Sequence, residues 1–389
     1  MATVRRRPIH DETEQTHPGA ELGEGDSLLH KLKVIGVCTS AGVVFGIAME
    51  KGRVFEPEVI RSQMVFEKYI MLKMFLSAVS SGMFSMSVLS MLPVTQRKFQ
   101  KAQIEYVACL NNKGLLTVTL GAGLLGVGMT LSGACPGMVL VQVGALAENA
   151  IYTFSGALLG AALYGFVEPA VVRLTKPSKP MTVLSLDGAT HSPYFVLALP
   201  MAAMLGMAVA GLELWKPWQT ELAVDSAVGT SWLSARAWPP ALAGAIIGLL
   251  QVPILLAVSD TLGGSSSYCT IVSQLLVNRP LENLSSYLRK FKKGMGNWWQ
   301  VFYVSGAVLG GYLSASASGS LGTARGVAPL SALTGGALML FGARLAGGCT
   351  SGHGLSGVGL LNLLSFAAVP AMFGGGILAA LVLKNLGTL

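Results

Sequence analysis

The sequence predicts an all-α integral membrane protein with about nine transmembrane helices and several short re-entrant helices, and three observations carry that prediction. The 389 residues are 52% hydrophobic and only 12% charged, about half the ~25% charge of an ordinary soluble domain, too little to cover a folded surface of this size. The 48 glycines suit helices that pack closely in lipid. Apolar runs long enough to span a bilayer, or nearly so, recur along the chain.

The chain opens on a polar segment, Met1 to about Leu28, in which Arg5, Arg6 and Arg7 precede an acidic, His-containing stretch. It has no apolar h-region and is not acid-poor, so it is neither a signal peptide nor a transit sequence; residues 1–28 are expected to be a disordered tail. Residues 29–389 then form one membrane domain. Candidate spans follow at Val34–Met49, Tyr69–Leu92, Leu115–Leu131, Ile151–Leu174, Tyr194–Leu214, Pro240–Val258, Trp298–Ala315, Leu330–Leu345 and Phe366–Leu383. Four segments, Val54–Val65, Gly133–Leu146, Gly263–Leu276 and Gly347–Leu364, are too short or too broken by Gly and Ser to span. Irregular backbone survives at membrane depth only where protein buries it or a cavity hydrates it, so these read as re-entrant segments lining a path.

Gly128-Met-Thr-Leu-Ser-Gly-Ala-Cys135 and Gly342-Ala-Arg-Leu-Ala-Gly-Gly-Cys349 share Gly, Leu, Gly and Cys in register, which divides the chain into a first repeat (31–176), a linking helix and loop (190–236) and a second repeat (237–389). The same offset sets Cys269 against Phe55, with barely matching flanks. An odd number of crossings separates equivalent helices, so the repeats are expected to be inverted, with a substrate site at the midplane between broken helices. The distribution of Lys and Arg favours a cytoplasmic N-terminus. Asn283-Leu-Ser285, a glycosylation sequon, falls on the inside in that scheme.

The balance of 27 Lys and Arg against 19 Asp and Glu, net +8, fits basic loops beside spans, and without interleaved aromatics or a binding-fold signature it does not indicate nucleic acid. The five cysteines, Cys38, Cys109, Cys135, Cys269 and Cys349, contain no CxxC pair. Neither a zinc ribbon nor a redox dithiol is written locally, and the odd count argues against a disulfide framework. No metal or other cofactor is expected.

The strongest motif is Gly342-Ala-Arg-Leu-Ala-Gly-Gly-Cys-Thr-Ser-Gly-His-Gly-Leu-Ser-Gly357. Gly347 and Gly348 allow tight turns and close approach to a ligand. Thr350 or Ser351 is expected to cap the short helix that follows, leaving Cys349 at its positive end. In Leu131-Ser-Gly-Ala-Cys-Pro-Gly137, Gly133 and Gly137 play the permissive part and Pro136 suits a first helical turn, so Cys135 also lands at a helix start. Two facing half-helix N-termini make an anion site with few formal charges. Small residues that only let helices pack are the competing explanation for one such motif; its recurrence at equivalent breaks favours a site. Gly263-Gly-Ser-Ser-Ser-Tyr-Cys-Thr270 adds Cys269 beside the hydroxyls of Ser267 and Thr270, or else a merely solubilising loop. Cys38 and Cys109 read as packing or incidental. His353, four residues after Cys349, could share a helix face with it, and a hydrogen-bonding role outweighs a soft-metal one. Arg344 within a span is costly unless paired or hydrated, and so is a functional candidate. Acidic residues in the spans are sparse, and Glu168 beside Pro169 reads most simply as a helix end.

At Leu345-Ala-Gly-Gly-Cys-Thr-Ser-Gly-His-Gly354 and Leu131-Ser-Gly-Ala-Cys-Pro-Gly137 the sequence resembles the YeeE/YedE sulfur transport family, the thiosulfate permeases. Gly52-Arg-Val-Phe-Glu-Pro-Glu58 and Ser267-Tyr-Cys-Thr270 resemble the motifs that open its two halves. The resemblance implies an inverted-repeat, hourglass-like protein of the cell membrane that passes thiosulfate along centrally placed thiols. The path would comprise Cys135, Cys349 and Cys269, with Phe55 where a fourth cysteine would stand. The implied partners are a small sulfur anion, the lipid bilayer and, as a candidate, a cytosolic sulfur-carrier protein. A thiol is a weak donor, so a ladder of thiols can hold a soft anion without trapping it. The anion's charge and the low dielectric are expected to keep the thiols protonated. The alternative is a membrane-embedded sulfurtransferase or thiol oxidoreductase with Cys349 as nucleophile, for which the sequence offers no second catalytic motif or cofactor fingerprint.

Overall fold

The computed structural model describes residues 28–110, 113–175, 185–222, 231–277 and 285–387. All but Leu28 of the expected polar tail lies outside these residues, as does Asn283 of the sequon.

Helices form wherever the apolar runs predict them. They are α1 Leu28–Lys51, α2 Pro57–Met64, α3 Ile70–Met91, α4 Pro93–Leu110, α5 Leu115–Ser132, α6 Pro136–Gly144, α7 Ala150–Thr175, α8 Leu186–Thr190 and α9 Tyr194–Trp215. The rest are α10 Trp218–Leu222, α11 Pro240–Leu249, α12 Gln251–Val258, α13 Ser265–Leu276, α14 Ser286–Arg289, α15 Met295–Ala317, α16 Pro329–Ala346, a π-helix π1 Thr350–Gly357, and α17 Leu363–Asn385. No strand occurs among the described residues beyond an isolated bridge between Ser185 and Asn362. Eight helical segments are long and apolar enough to cross a membrane, one of them the stretch from α5 through α6. The ninth expected span, α15, forms over 23 residues but carries Asn297, Gln300 and three serines, and is not among the eight. All four segments too short to span are short helices: α2, α6, α13 and π1.

Besides the short helices α8, α10 and α14, one long helix was not foreseen. The connection after the second span folds into α4, an 18-residue helix that buries only Phe99, Ala102 and Leu110. Its Arg97, Lys98 and glutamines broke the continuous apolar run that marks a span, leaving a surface helix with one buried stripe.

Long helices pack where glycine lets backbones touch. A Cβ on Gly42 or Gly46 of α1 would meet the Tyr303 or Ala307 carbonyl of α15, and one on Gly244 or Gly248 of α11 would meet Met74 or Ala78 of α3. Between α5 and α16, Gly121 lies against Ala346 and Gly128 against Met339, so these two helices run in opposite directions. α5 also packs on α17, and α16 on α7. Without a hydrophobic drive between helices in lipid, such close contact supplies dispersion energy instead. The linking helix α9 lies outside this core with few buried residues. It is tied to α3 where fully buried Lys73 reaches Glu213 of α9 at 3.0 Å, and Lys73 also reaches Glu221 of α10 at 2.8 Å, the pairing a buried charge requires.

Candidate functional site

Both cysteine motifs break a long helix in the same way. α5 ends at Gly133 with φ +61° and α16 at Gly347 with φ +88°, each in the left-handed conformation that only glycine adopts without cost. The chain then extends through a cysteine and restarts as a short helix. Cys135 is the N-cap of α6, with Pro136 in the first turn as expected. Cys349 is the N-cap of π1. This corrects the sequence expectation that Thr350 or Ser351 would cap the second short helix: the cap falls one residue earlier, and Ser351 Oγ lies 3.2 Å from Cys349 Sγ. The restart as a π-helix had no sequence signal, and such turns are rare and concentrated at functional sites.

The two starts meet. Cys135 borders one cavity with Gly137, Met138 and, from the opposite motif, Thr350 and Ser351, so its thiol lies beside the Thr350 hydroxyl. Cys349 is surrounded by the Ser351 and Ser265 hydroxyls and by the Gly264 and Gly352 amides. It therefore lies where the N-terminus of π1 meets that of α13, whose N-cap is Gly264. Helix N-termini present unpaired N–H groups and a partial positive charge, and their convergence favours a negative ligand. Cys135 is 8% exposed and Cys349 1%, so the thiols sit in protein rather than in bulk water.

Arg344 extends the site. It is buried, and its Nε and Nη2 donate to the Tyr287 hydroxyl at 2.8 and 2.5 Å. Nη1 donates to Ser266 Oγ at 3.1 Å and to Ser265 Oγ at 3.4 Å. Among the described residues no carboxylate pairs with it. Cys269 is fully buried on α13, beside the Tyr287 hydroxyl. Ser265, Arg344 and Tyr287 are thus joined by hydrogen bonds, with Cys349 beside one end and Cys269 beside the other. Lys113 stands behind Arg344, its Nζ donating to Tyr164 Oη at 2.7 Å and to the Arg344 and Leu345 carbonyls at 3.2 and 3.0 Å; Glu168 lies within electrostatic range of it.

On the side of Cys135 a cavity of about 70 Å³ is bounded by Cys135, Gly137, Thr350, Ser351, aromatic rings and six methionines. Its walls are almost wholly apolar. Phe55 does not border it; the ring is fully buried and faces the Arg53 guanidinium at 5.2 Å.

Not every expected residue joins the site. Ser267 and Thr270 donate to backbone carbonyls, Gly264 at 2.6 Å and Ser266 at 3.2 Å, which a helical serine or threonine does locally; the hydroxyls that face Arg344 belong to Ser265 and Ser266. His353 is buried with Nδ1 3.0 Å from Ser365 Oγ and Nε2 3.3 Å from the Ala346 carbonyl, so both ring nitrogens hold the re-entrant loop in shape. Gly348 is the contact that lets this ring in: a Cβ there would lie 2.9 Å from the imidazole. Among the described residues no cluster of His, Cys, Asp and Glu could hold a metal. Cys38 is buried within α1 and Cys109 is exposed on α4. Sequence reasoning missed the tyrosines. Tyr287 holds Arg344, Tyr268 Oη donates to the Pro136 carbonyl at 2.7 Å, and Tyr106 Oη donates to the Gly352 carbonyl at 3.0 Å.

No curated protein matches the chain. The sulphur transport family, YeeE/YedE, matches residues 51–378, from the end of α1 through most of α17 and including both cysteine-capped helix starts; the chain belongs to that family, a membrane protein for sulfur transport.

Proposed function

We propose that the chain carries thiosulfate, or a closely related inorganic sulfur anion, across the bilayer along Cys135, Cys349 and Cys269. The observation that carries this reading is the position of Cys349, a thiol set where two helix N-termini converge amid hydroxyls and amides. The helix ends and Arg344 attract the negative charge. The thiols offer weak S–H donors to a polarisable sulfur atom, so the ion is recognised without being trapped. Gly133, Gly137, Gly347 and Gly348 shape the breaks. Ser351 and Thr350 sit on the two thiols, and His353 braces the loop that carries the second.

The exchange of helix partners supports two inverted repeats. α1 lies on α15 as its counterpart α11 lies on α3, and the equivalent helices α5 and α16 pack antiparallel. A pseudo-two-fold axis in the membrane plane would relate such halves and set the site at the midplane. We assign the N-terminus to the cytoplasm, the protein to the cell membrane, and receipt of the sulfur anion to a cytosolic carrier protein.

The test is uptake of radiolabelled thiosulfate into proteoliposomes holding the wild type or Cys349→Ala, with unlabelled sulfate as competitor. Uptake that disappears in the variant, with insertion intact and no effect of sulfate, is the expected result. Failure of correctly inserted wild type to take up thiosulfate would sink the reading.

A further inference from the structure

A helix that stops inside a membrane brings two helix ends to the break. The short helix that follows turns its positive N-terminus toward the site, but the long helix before it ends in carbonyls of the opposite partial charge. Beside the features that attract an anion, each break therefore holds one that repels it. In transporters that carry a metal cation, carbonyls at such half-helix ends bind that cation. Here basic side chains already hold them.

The two halves do this at matching positions. At the end of α5 the Met129 carbonyl accepts from the Gly133 and Ala134 N–H groups, and at the end of α16 the Ala343 carbonyl accepts from those of Gly347 and Gly348. In the alignment that sets Cys135 against Cys349, Met129 stands opposite Ala343, and the next pair is Thr130 and Arg344. The Thr130 carbonyl accepts from Arg61 Nε of α2 at 3.0 Å. The Arg344 carbonyl accepts from Lys113 Nζ at 3.2 Å, and the Leu345 carbonyl from the same nitrogen at 3.0 Å. With Tyr164 Oη as its third acceptor, at 2.7 Å, the Lys113 ammonium has spent all its donors. Arg61 and Lys113 do not align with each other: Leu275 and Val327 stand opposite them. Duplication of one residue therefore does not explain the match; the role recurs, with different residues filling it.

Both helix ends border the path. Met129 lines the cavity beside Cys135, and the Arg344 guanidinium donates to Ser265, whose hydroxyl adjoins Cys349. Among the described residues neither Arg61 nor Lys113 forms an ion pair with a carboxylate, so the positive charge of each stays with the helix end it holds.

We propose that Arg61 and Lys113 are selectivity residues of the two breaks: each sets a fixed positive charge on the carbonyl end of a broken helix, so that the path favours an anion and needs no metal cation there. This rests on the reading of the path as one for a sulfur anion. Both residues bond main chain rather than cargo, and act on the ion through the helix ends. A basic side chain that only keeps a helix end in shape would make the same contacts, but its loss would not weaken the hold on an anion.

The test measures the concentration dependence of radiolabelled thiosulfate uptake into proteoliposomes holding wild type, Lys113→Met, Arg61→Met, Lys113→Arg or Arg61→Lys. Each Met variant is expected to raise KM about fivefold with little change in maximal rate per inserted transporter, and the two charge-conserving variants to keep the wild-type KM. In parallel, thermal midpoints in detergent are compared in sodium chloride and in choline chloride at equal ionic strength. Sodium, small enough to sit among bared carbonyls, is expected to raise the midpoint of each Met variant by about 1 °C or more over choline and to leave the wild type unchanged. An unchanged KM in either Met variant, an equal rise in the charge-conserving variants, or the absence of a sodium-specific shift would overturn the proposal. Wild type that takes up no thiosulfate would instead sink the transport reading, while the sodium arm still decides whether these side chains stand in for a bound cation.

Discussion

Around Cys135 and around Cys349 the backbone does the same thing and the side chains do not. Each thiol follows a helix stopped by a left-handed glycine and caps a short helix that re-enters the core. Beyond that shared device, Cys135 faces a cavity walled by thioethers and rings, with no charged side chain at its border. Cys349 faces Ser265 and, through it, a buried guanidinium held by Tyr287. Helix ends supply an affinity for anions that both halves possess. Side chains then make the line of cysteines unequal along its length, with a hard, hydrogen-bonding end at Arg344 and a soft, apolar one at the methionines.

Removing the charge at the hard end should have the largest effect. Arg344→Gln is expected to lower uptake by about tenfold or more, since a charge-assisted contact contributes ~1.5–3 kcal/mol. A lone buried charge, however, costs desolvation energy that a neutral amide avoids. Stability is therefore expected to hold or rise while transport falls. Parallel loss of folding and uptake, followed by fluorescence-detected size exclusion after heating, would show Arg344 to be structural and erase the contrast between the two ends.

The helix breaks can be compared directly. A Cβ on Gly133 would lie 2.4 Å from Pro57 Cβ, with backbone beside it at 2.8 Å, whereas one on Gly347 would meet the tip of the Leu110 side chain at 2.9 Å. Both substitutions carry the left-handed penalty of ~1–2 kcal/mol. Leu110 can turn aside and Pro57 cannot. Gly133→Ala should therefore cost ~1 kcal/mol or more beyond Gly347→Ala, read as the difference between their thermal midpoints. The reverse order would mean that the first half yields more readily than its contacts imply.

What the sequence made legible was periodic or punctuated. Apolar runs located most of the long helices, and apolar segments too short or too broken by Gly and Ser to span located α2, α6, α13 and π1, because a helix that must stop early has to show its stop. Cys135 was placed at a helix start by the proline behind it. The same logic set the cap at Thr350 or Ser351 because hydroxyls are the usual caps, yet the helix begins one residue earlier. The tyrosines stayed hidden for another reason. Tyr106, Tyr268 and Tyr287 come from elements far apart in sequence, and a phenol that bonds a distant carbonyl or guanidinium leaves no local pattern. Ser265 and Ser266 were in view, but only the fold distinguishes them from Ser267, which turns back onto Gly264. α4 was lost because its pattern is that of a surface helix inside a chain dominated by spans.

The smallest expected effect belongs to the soft end. Met74 borders the cavity beside Cys135 and is 6% exposed. Leucine nearly matches its volume, so Met74→Leu should cost less than ~1.5 kcal/mol. If the cavity serves only as an apolar, water-poor approach to Cys135, thiosulfate uptake should stay within about twofold of wild type, because a dewetted constriction depends on shape and polarity rather than on sulfur. A larger loss with unchanged stability would mean that the thioether itself contacts the passing ion through its polarisable sulfur. In that event the cysteine line would continue into the methionines, and the place taken by Phe55 would not be a gap in the path.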